Sequence, residues 1–158
     1  MNIQLFRKAA GTLVITVILS FSLNGQTRSD VIKVYNEGAK AVKTDVKASI
    51  TASENVVDLA AKVGETCNDL RDKAMQILPG LYVRVASNAA SEKKPAAEVI
   101  KASKVALAMA DKYSSPTSKE NAGKLLVQGY YIMGTEFFTA KDYDNALLAF
   151  DSLLAVNP

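Results

Sequence analysis

Carboxylates are the side chains that could do acid/base chemistry here, because the 158-residue chain contains no histidine, the commonest general base. Asp142 and Asp144 lie where a helix is expected to begin, and carboxylates there usually bind the free amide groups of the first turn. A second set, Glu65, Asp69 and Asp72, recurs along one side of a predicted helix with basic residues between its members, as on a solvated face. We therefore predict no catalytic residues and no enzymatic activity.

Metal and cofactor chemistry also lacks its usual side chains. Histidine is absent, and Cys67 is the only cysteine, so neither an intrachain disulfide nor a cysteine-based metal cluster can form. We interpret Cys67 as a small buried hydrophobe, with a reactive thiol as the alternative. The glycines are scattered along the chain and do not form a phosphate-binding loop. The sequence therefore predicts neither a cofactor nor a metal.

The segment from Met1 to Gly25 differs from the rest of the chain. Arg7 and Lys8 precede an uncharged apolar run from Ala9 to Leu23, which is the layout of a secretory signal peptide. An uncleaved membrane anchor is the alternative, although this run is shorter than the roughly 20 apolar residues that a bilayer span needs. We expect export to the periplasm or cell envelope of a Gram-negative bacterium, with membrane contact only through this segment if it stays attached.

Export would also change the charge balance. The whole chain has 19 basic and 16 acidic residues and a net charge of +3. Removing Arg7 and Lys8 leaves 17 basic residues against 16 acidic ones, a net charge of +1. Nucleic-acid binding is not expected, because the mature chain would lack a basic excess to neutralise phosphates.

Apolar residues repeat at intervals of 3, 4 and 7 from Ser29 to the end of the chain, the period of amphipathic helices. Polar or glycine-containing breaks divide this pattern into six helices arranged as three hairpins. Pro79 interrupts the third helix, so we expect either a kink there or two helices, with Pro79 opening the second.

The clearest hairpin runs from Tyr130 to Pro158, and its residues resemble the tetratricopeptide repeat (TPR), a family of helical hairpins. The residues that carry the resemblance are Tyr130, Gly134, Phe137, Ala146, Phe150, Leu153 and Pro158. Of these, Tyr130, Gly134, Phe137, Ala146 and Phe150 are expected in the repeat core. Tyr143 is also expected in the core. Two looser copies precede this hairpin: Gly38 and Ser87 correspond to Gly134, and Ser53 and Ser103 take the place of Phe150.

The resemblance implies an all-α fold, a right-handed α-solenoid of about three TPR-like hairpins in one domain from residue 26 to 158. The units cover about 28–64, 65–113 and 114–158, and the first helices of the last two units are extended. In this family the first helix of each hairpin lines a concave groove that binds a protein or peptide. Carried onto this chain, the expected groove contacts are Tyr35, Arg84, Asn88, Tyr131, Thr135 and Phe138.

The function expected from this resemblance is a non-enzymatic scaffold for protein–protein interaction. The alternative is the N-terminal recognition part of a larger protein whose catalytic or anchoring domain lies beyond Pro158. No polar capping helix follows the last hairpin in this sequence, so Leu147, Leu154 and Val156 are expected to have partly exposed flanks. Three explanations stay open: a continuing chain, a partner protein, or self-association through this hairpin.

Overall fold

The computed structural model describes residues 25–156, which form six α-helices and one short 3-10 turn. The helices are α1 Arg28–Ala41, α2 Val46–Val63, α3 Asn68–Ser91, α4 Ala96–Lys112, α5 Pro116–Thr139 and α6 Tyr143–Val156, and the 3-10 turn is Glu65–Cys67. The prediction of an all-α chain with six helices is confirmed for these residues. Apart from Gly25, the predicted signal segment lies outside the described residues, as does Pro158. Within residues 25–156, the helices lack the combination of length and apolar content needed to cross a membrane.

Polar side chains determine where three of the helices begin. Thr27 and Asp30 form a capping box at α1, in which the Thr27 amide donates to the Asp30 carboxylate at 2.8 Å. Asp45 accepts the Ala48 amide at 3.0 Å at the start of α2. Asp142 accepts the amide of the third residue of α6 at 3.4 Å. Each carboxylate lies beside the free amide groups of a first turn, where it stabilises the helix.

One type of turn ends α3, α4 and α5. The second residue after each helix has a left-handed backbone: Lys93 has φ 53°, Ser114 has φ 51° and Lys141 has φ 62°. The amide after each of these residues donates to a carbonyl five positions earlier, at 3.0, 2.8 and 2.9 Å. This is the Schellman arrangement, which satisfies the last carbonyl groups of a helix and is usually built with glycine. The chain therefore reverses in the same way after three successive helices.

Pro79 does not divide the third helix. α3 continues through it from Asn68 to Ser91, so the alternative of two separate helices is wrong. Pro79 and Leu78 are buried, and Leu78 and Leu81 form a core cluster with Ile50 of α2. This burial offsets the hydrogen bond that proline removes from the helix.

Each helix packs on the next one along the chain, and α3 also packs on α1 and α5. Among the described residues, α2 and α4 do not pack on each other. Small residues allow the helices to approach closely. A β-carbon placed on Gly38 would lie 2.9 Å from Ala52 Cβ, and one on Gly129 would lie 2.8 Å from Ile100 Cγ1. Glycine is therefore required for close packing at these contacts.

The second helix of each hairpin begins in an equivalent way. The carbonyl groups of Asp45, Pro95 and Asp142 accept the amides of Ser49, Val99 and Ala146, which lie four residues further on. Counting from these three acceptors gives corresponding positions on α2, α4 and α6. At position 8, the buried hydroxyls of Ser53 and Ser103 donate to carbonyls one turn earlier at 2.8 Å, whereas α6 has Phe150.

Candidate interaction surface

Seven large apolar side chains are exposed at the last hairpin. Val156, expected to have a partly exposed flank, is 37% exposed, and Leu148, which is 63% exposed, lies on a different side of α6 from Leu147. The other five lie on both helices. They are Tyr131 and Phe138 of α5 and Tyr143, Leu147 and Leu154 of α6, and each is 58–62% exposed. The rings of Phe138 and Tyr143 meet edge to face with their centres 5.6 Å apart, which joins the contributions of the two helices. We call these five residues the end face. They expose on the order of 500 Å², an area typical of functional patches on monomeric proteins.

The corresponding positions on α2 and α4 explain why the end face is exposed. At position 5 the three second helices have Ile50, Ile100 and Leu147, which are 8%, 7% and 62% exposed. Ile50 is covered by α3 and Ile100 lies against Gly129 of α5. In the part of the chain that the structure describes, α6 is followed by no further helix. Leu147 is therefore exposed at a position that the fold covers twice elsewhere.

The predicted groove residues of α5 lie together. Tyr131, Thr135 and Phe138 follow one side of the helix, one and two turns apart. Thr135 donates its hydroxyl to the Tyr131 carbonyl at 2.6 Å, and both residues line a shallow depression on α5. The two aromatic rings are thus the part of this segment that is free to contact another molecule.

The predicted groove residues of α1 and α3 make contacts within the chain. Tyr35 is half-buried against the cluster that contains Val31 and Val56. Arg84 donates to the carbonyl of Val42 and, at 3.3 Å, to that of Lys43, so its guanidinium satisfies the end of α1. Asn88 is exposed but lines a different depression, between α2 and α4. The structure therefore does not bring the six predicted contacts into one site.

The predicted repeat-core residues differ in burial. Gly38, Gly134 and Ala146 are buried, whereas Ser87, Tyr130, Phe137 and Phe150 are half-buried. A β-carbon on Gly134 would lie 2.6–2.8 Å from three atoms of the Phe150 ring, so this pair forms a tight hairpin contact. Tyr143 differs from the expectation: it is 58% exposed and lies in the end face, where its ring meets that of Phe138.

Sequence reasoning missed a cleft between α2 and α4 with a volume of about 660 Å³. Ile50, Tyr82, Val85, Ala102 and Val105 supply its apolar lining, and Lys47, Thr51, Glu98 and Lys101 also line it. The resemblance placed binding on the first helices, whereas most of this lining belongs to second helices. The sequence carried no specific signal for this cleft, because the 40% exposure of Val105 follows from the packing of the helices.

Tyr82 lies at the edge of this cleft and connects α3 to α2. Its hydroxyl donates to Glu54 Oε1 at 2.6 Å. Partial burial, together with this bond to a carboxylate, raises the pKa of Tyr82 to about 12. The phenol is therefore a neutral hydrogen-bond donor at physiological pH.

Three of the five carboxylates considered for chemistry have structural partners. Asp69 receives two hydrogen bonds from Arg28, at 2.6 and 2.9 Å, which connect the beginnings of α1 and α3. These bonds lower the pKa of Asp69 to about 2. Asp142 caps α6, and Asp72 pairs with its neighbour Arg71.

Cys67, the other side chain considered for chemistry, is buried in the core cluster, where its sulfur lies 3.9 Å from the Thr66 hydroxyl.

No family model, curated protein or solved structure matches the chain.

Proposed function

We propose that this chain is a TPR-like α-solenoid that acts as a non-enzymatic protein-interaction scaffold in the bacterial cell envelope. The observation that carries the proposal is the end face, a set of five large exposed apolar side chains on the two helices of one hairpin, which meet where Phe138 contacts Tyr143. Large exposed aromatic and aliphatic groups of this kind mark protein-binding surfaces, because covering them releases water from apolar area.

The arrangement of the helices supports the solenoid part of the proposal. Packing of each helix on the next, with additional contacts of α3 to α1 and α5, is what a stack of hairpins produces. The same turn ends α3, α4 and α5. The second helices also share their starting geometry, which is the regularity expected of repeated units.

Tyr131 and Phe138 are the expected anchors of the partner. Aromatic side chains dominate interface energies because they bury much area with few rotatable bonds. Their exposed fractions are 59% and 60%, so covering either one would contribute about 2 kcal/mol. Arg84 is not assigned to the partner here, because its guanidinium is bonded to α1.

Affinity capture from a cell-envelope extract tests the proposal. A variant with Tyr131→Ala and Phe138→Ala should lose the captured protein while keeping its melting temperature within a few degrees, because both rings are largely exposed. Val105→Ala, which trims an exposed residue of the α2–α4 cleft, is the matched control and should keep the capture. Capture that survives the double variant but not Val105→Ala would move the binding site to the cleft.

Export has its own test. If the segment from Met1 to Gly25 is a signal peptide, intact mass measurement of the envelope-associated protein should give a chain that begins at Gln26. A full-length chain recovered from the membrane fraction would support the uncleaved anchor, and one recovered from the cytoplasm would contradict export.

A further inference from the structure

The α6 part of the end face has the form of a surface that accepts another helix. Its residues Tyr143, Leu147 and Leu154, together with the half-buried Phe150 that also contacts Gly134, lie at intervals of 4, 3 and 4 residues, and we call these four the α6 stripe. This spacing is that of the apolar seam between two packed helices. Positions 5 and 12 of the stripe correspond to Ile50 and Val57 in α2 and to Ile100 and Leu107 in α4, the helices on which α3 and α5 pack.

The rim of the stripe determines the charge of the helix that would cover it. Asp144 and Asp151 flank it on one side, and the sequence from Tyr143 to Val156 contains no basic residue. Acidic flanks beside an apolar seam are complementary to a helix with lysine or arginine on its own flanks.

The position of Asp151 is already used for contact with a following helix elsewhere in the chain. Position 9 is Glu54 in α2, which accepts the Tyr82 hydroxyl of α3 at 2.6 Å. In α4 it is Lys104, whose ammonium lies 5.6 Å from the centre of the Tyr130 ring of α5. In both cases the group at position 9 meets a polar or aromatic group of the covering helix. Asp151 is a hydrogen-bond acceptor at this position, so we expect a covering helix to place a hydrogen-bond donor opposite it.

A second copy of the chain fits this face poorly. In a two-fold antiparallel pair of α6 helices, the flank that carries Asp144 and Asp151 would meet the same flank of the other copy. Like charges in that position are destabilising. Stacking of α6 on the α1 end of another copy would cover mainly polar residues, because the exposed side chains there are the apolar Ile32 and the polar Ser29, Lys33, Asn36, Glu37 and Lys40.

We infer that the end face binds a basic amphipathic α-helix of a partner protein, which packs on α6 as α3 packs on α2 and α5 on α4. The apolar residues of that helix cover Leu147 and Leu154, and its basic residues approach Asp144 and Asp151. This inference rests on the proposed scaffold function and names the chemistry of its partner.

Two synthetic helical peptides of about three heptads test it. Both have leucine at the two seam positions; one has lysine and the other glutamate at the flanking positions. Fluorescence anisotropy with the full chain should show binding of the lysine peptide at least about tenfold tighter than binding of the glutamate peptide. Asp144→Lys with Asp151→Lys should reverse this preference. Equal binding of both peptides, or no binding of the lysine peptide, would overturn the inference.

Leu148 provides a matched control on the same helix, since it is 63% exposed and lies outside the stripe. Leu147→Glu should weaken binding of the lysine peptide at least about tenfold, whereas Leu148→Glu should change it less than about twofold. The reverse order would refute the stripe as the binding surface. A dimer in sedimentation experiments that Leu147→Glu dissociates would show that a second copy occupies the face, and would also refute the inference.

The scaffold proposal can be judged separately. If the Tyr131→Ala, Phe138→Ala variant loses its cellular partner while neither peptide binds, the scaffold function stands and the basic helix does not. If the lysine peptide binds with the predicted variant pattern while the double variant retains its partner, the partner's chemistry is supported and the aromatic anchors are refuted.

Discussion

The two ends of this helical array present opposite surfaces. The outward side of α1 is mainly polar, with Ser29, Lys33 and Glu37 exposed to solvent beside one exposed apolar residue, Ile32, at 38%. The outward side of α6 is apolar, with Tyr143 and Leu147 more than half exposed. Arrays of stacked repeats stay soluble when their terminal faces are polar. The polar surface of α1 is suited to contact with water, and the apolar surface of α6 is what the proposed contact with another helix requires.

Lysine substitutions at position 5 of α4 and of α6 should show the largest difference in the free energy of unfolding between a covered helix and an uncovered one. Ile100→Lys places a charge where the side chain is 7% exposed and is expected to lower the free energy of unfolding by about 3 kcal/mol or more. Leu147→Lys, at the corresponding position of α6, should change it by less than about 0.5 kcal/mol. Urea denaturation followed by circular dichroism would measure both. Equal costs would mean that α6 is covered in solution as α4 is.

The interior of the last hairpin should be as intolerant as that of the first. Gly134→Leu is expected to cost about 2 kcal/mol, because the added side chain would overlap the Phe150 ring. Gly38→Leu should cost a similar amount through its contact with Ala52. The control is Gly123→Ala, where a β-carbon meets nothing within 4 Å, and it should gain about 0.5 kcal/mol from helix propensity. If Gly134→Leu were as stable as the parent, the two ends would differ inside the hairpins as well as on their surfaces.

The sequence predicted features that depend on local rules. The apolar period located six helices, and Gly38 and Gly134 indicated close contacts within hairpins. The N-cap of α1 is Thr27, a residue type that is favoured at helix starts. These predictions succeed because helix period, capping and small-residue contacts are determined by neighbours in the chain or by one packed partner.

Features that depend on distant parts of the chain were not predicted. Arg84 reaches carbonyls 41 and 42 residues earlier, so its role in ending α1 depends on how α3 packs against α1. α3 tolerates Pro79 because tertiary burial offsets a lost hydrogen bond, which the local pattern does not encode. Tyr143 occupies a repeat-core position in sequence, but the described chain has no next helix to bury it.

The turn that leads into α6 allows a smaller test of how regular the two ends are. Lys141 and Lys93 have left-handed backbones, with φ 62° and 53°, which cost a non-glycine residue energy. Lys141→Gly and Lys93→Gly should each raise the free energy of unfolding by about 0.5 kcal/mol, after the extra entropy of glycine in the unfolded chain. If only Lys93→Gly raised the free energy of unfolding, the turn before α6 would be less rigid than the turn after α3.

Acid should weaken the polar end through one ion pair. The hydrogen bonds from Arg28 lower the pKa of Asp69 to about 2 from 3.8, so protons bind more readily to the unfolded chain. The stabilisation is therefore complete above about pH 4 and is lost as the pH falls towards 2. Melting temperatures of the parent and of Asp69→Asn should differ at pH 5 and converge near pH 2. The difference should be small, because the exposed fractions of the Arg28 and Asp69 side chains are 43% and 49%.

Arg28→Gln provides the matched partner in a double-mutant cycle with Asp69→Asn. If the ion pair carries this part of the acid-labile stability, the melting temperature of the double variant should equal those of the single variants, and it should fall less than that of the parent between pH 4 and 2. The remaining fall comes from other carboxylates with lowered pKa values, such as Asp30 and Glu120. A gap between the parent and Asp69→Asn that persists unchanged at pH 2 would show that Asp69 stabilises α3 without Arg28. The Arg28–Asp69 pair connects the beginnings of α1 and α3 and lies away from the α6 stripe, so neither variant should alter peptide binding at the end face.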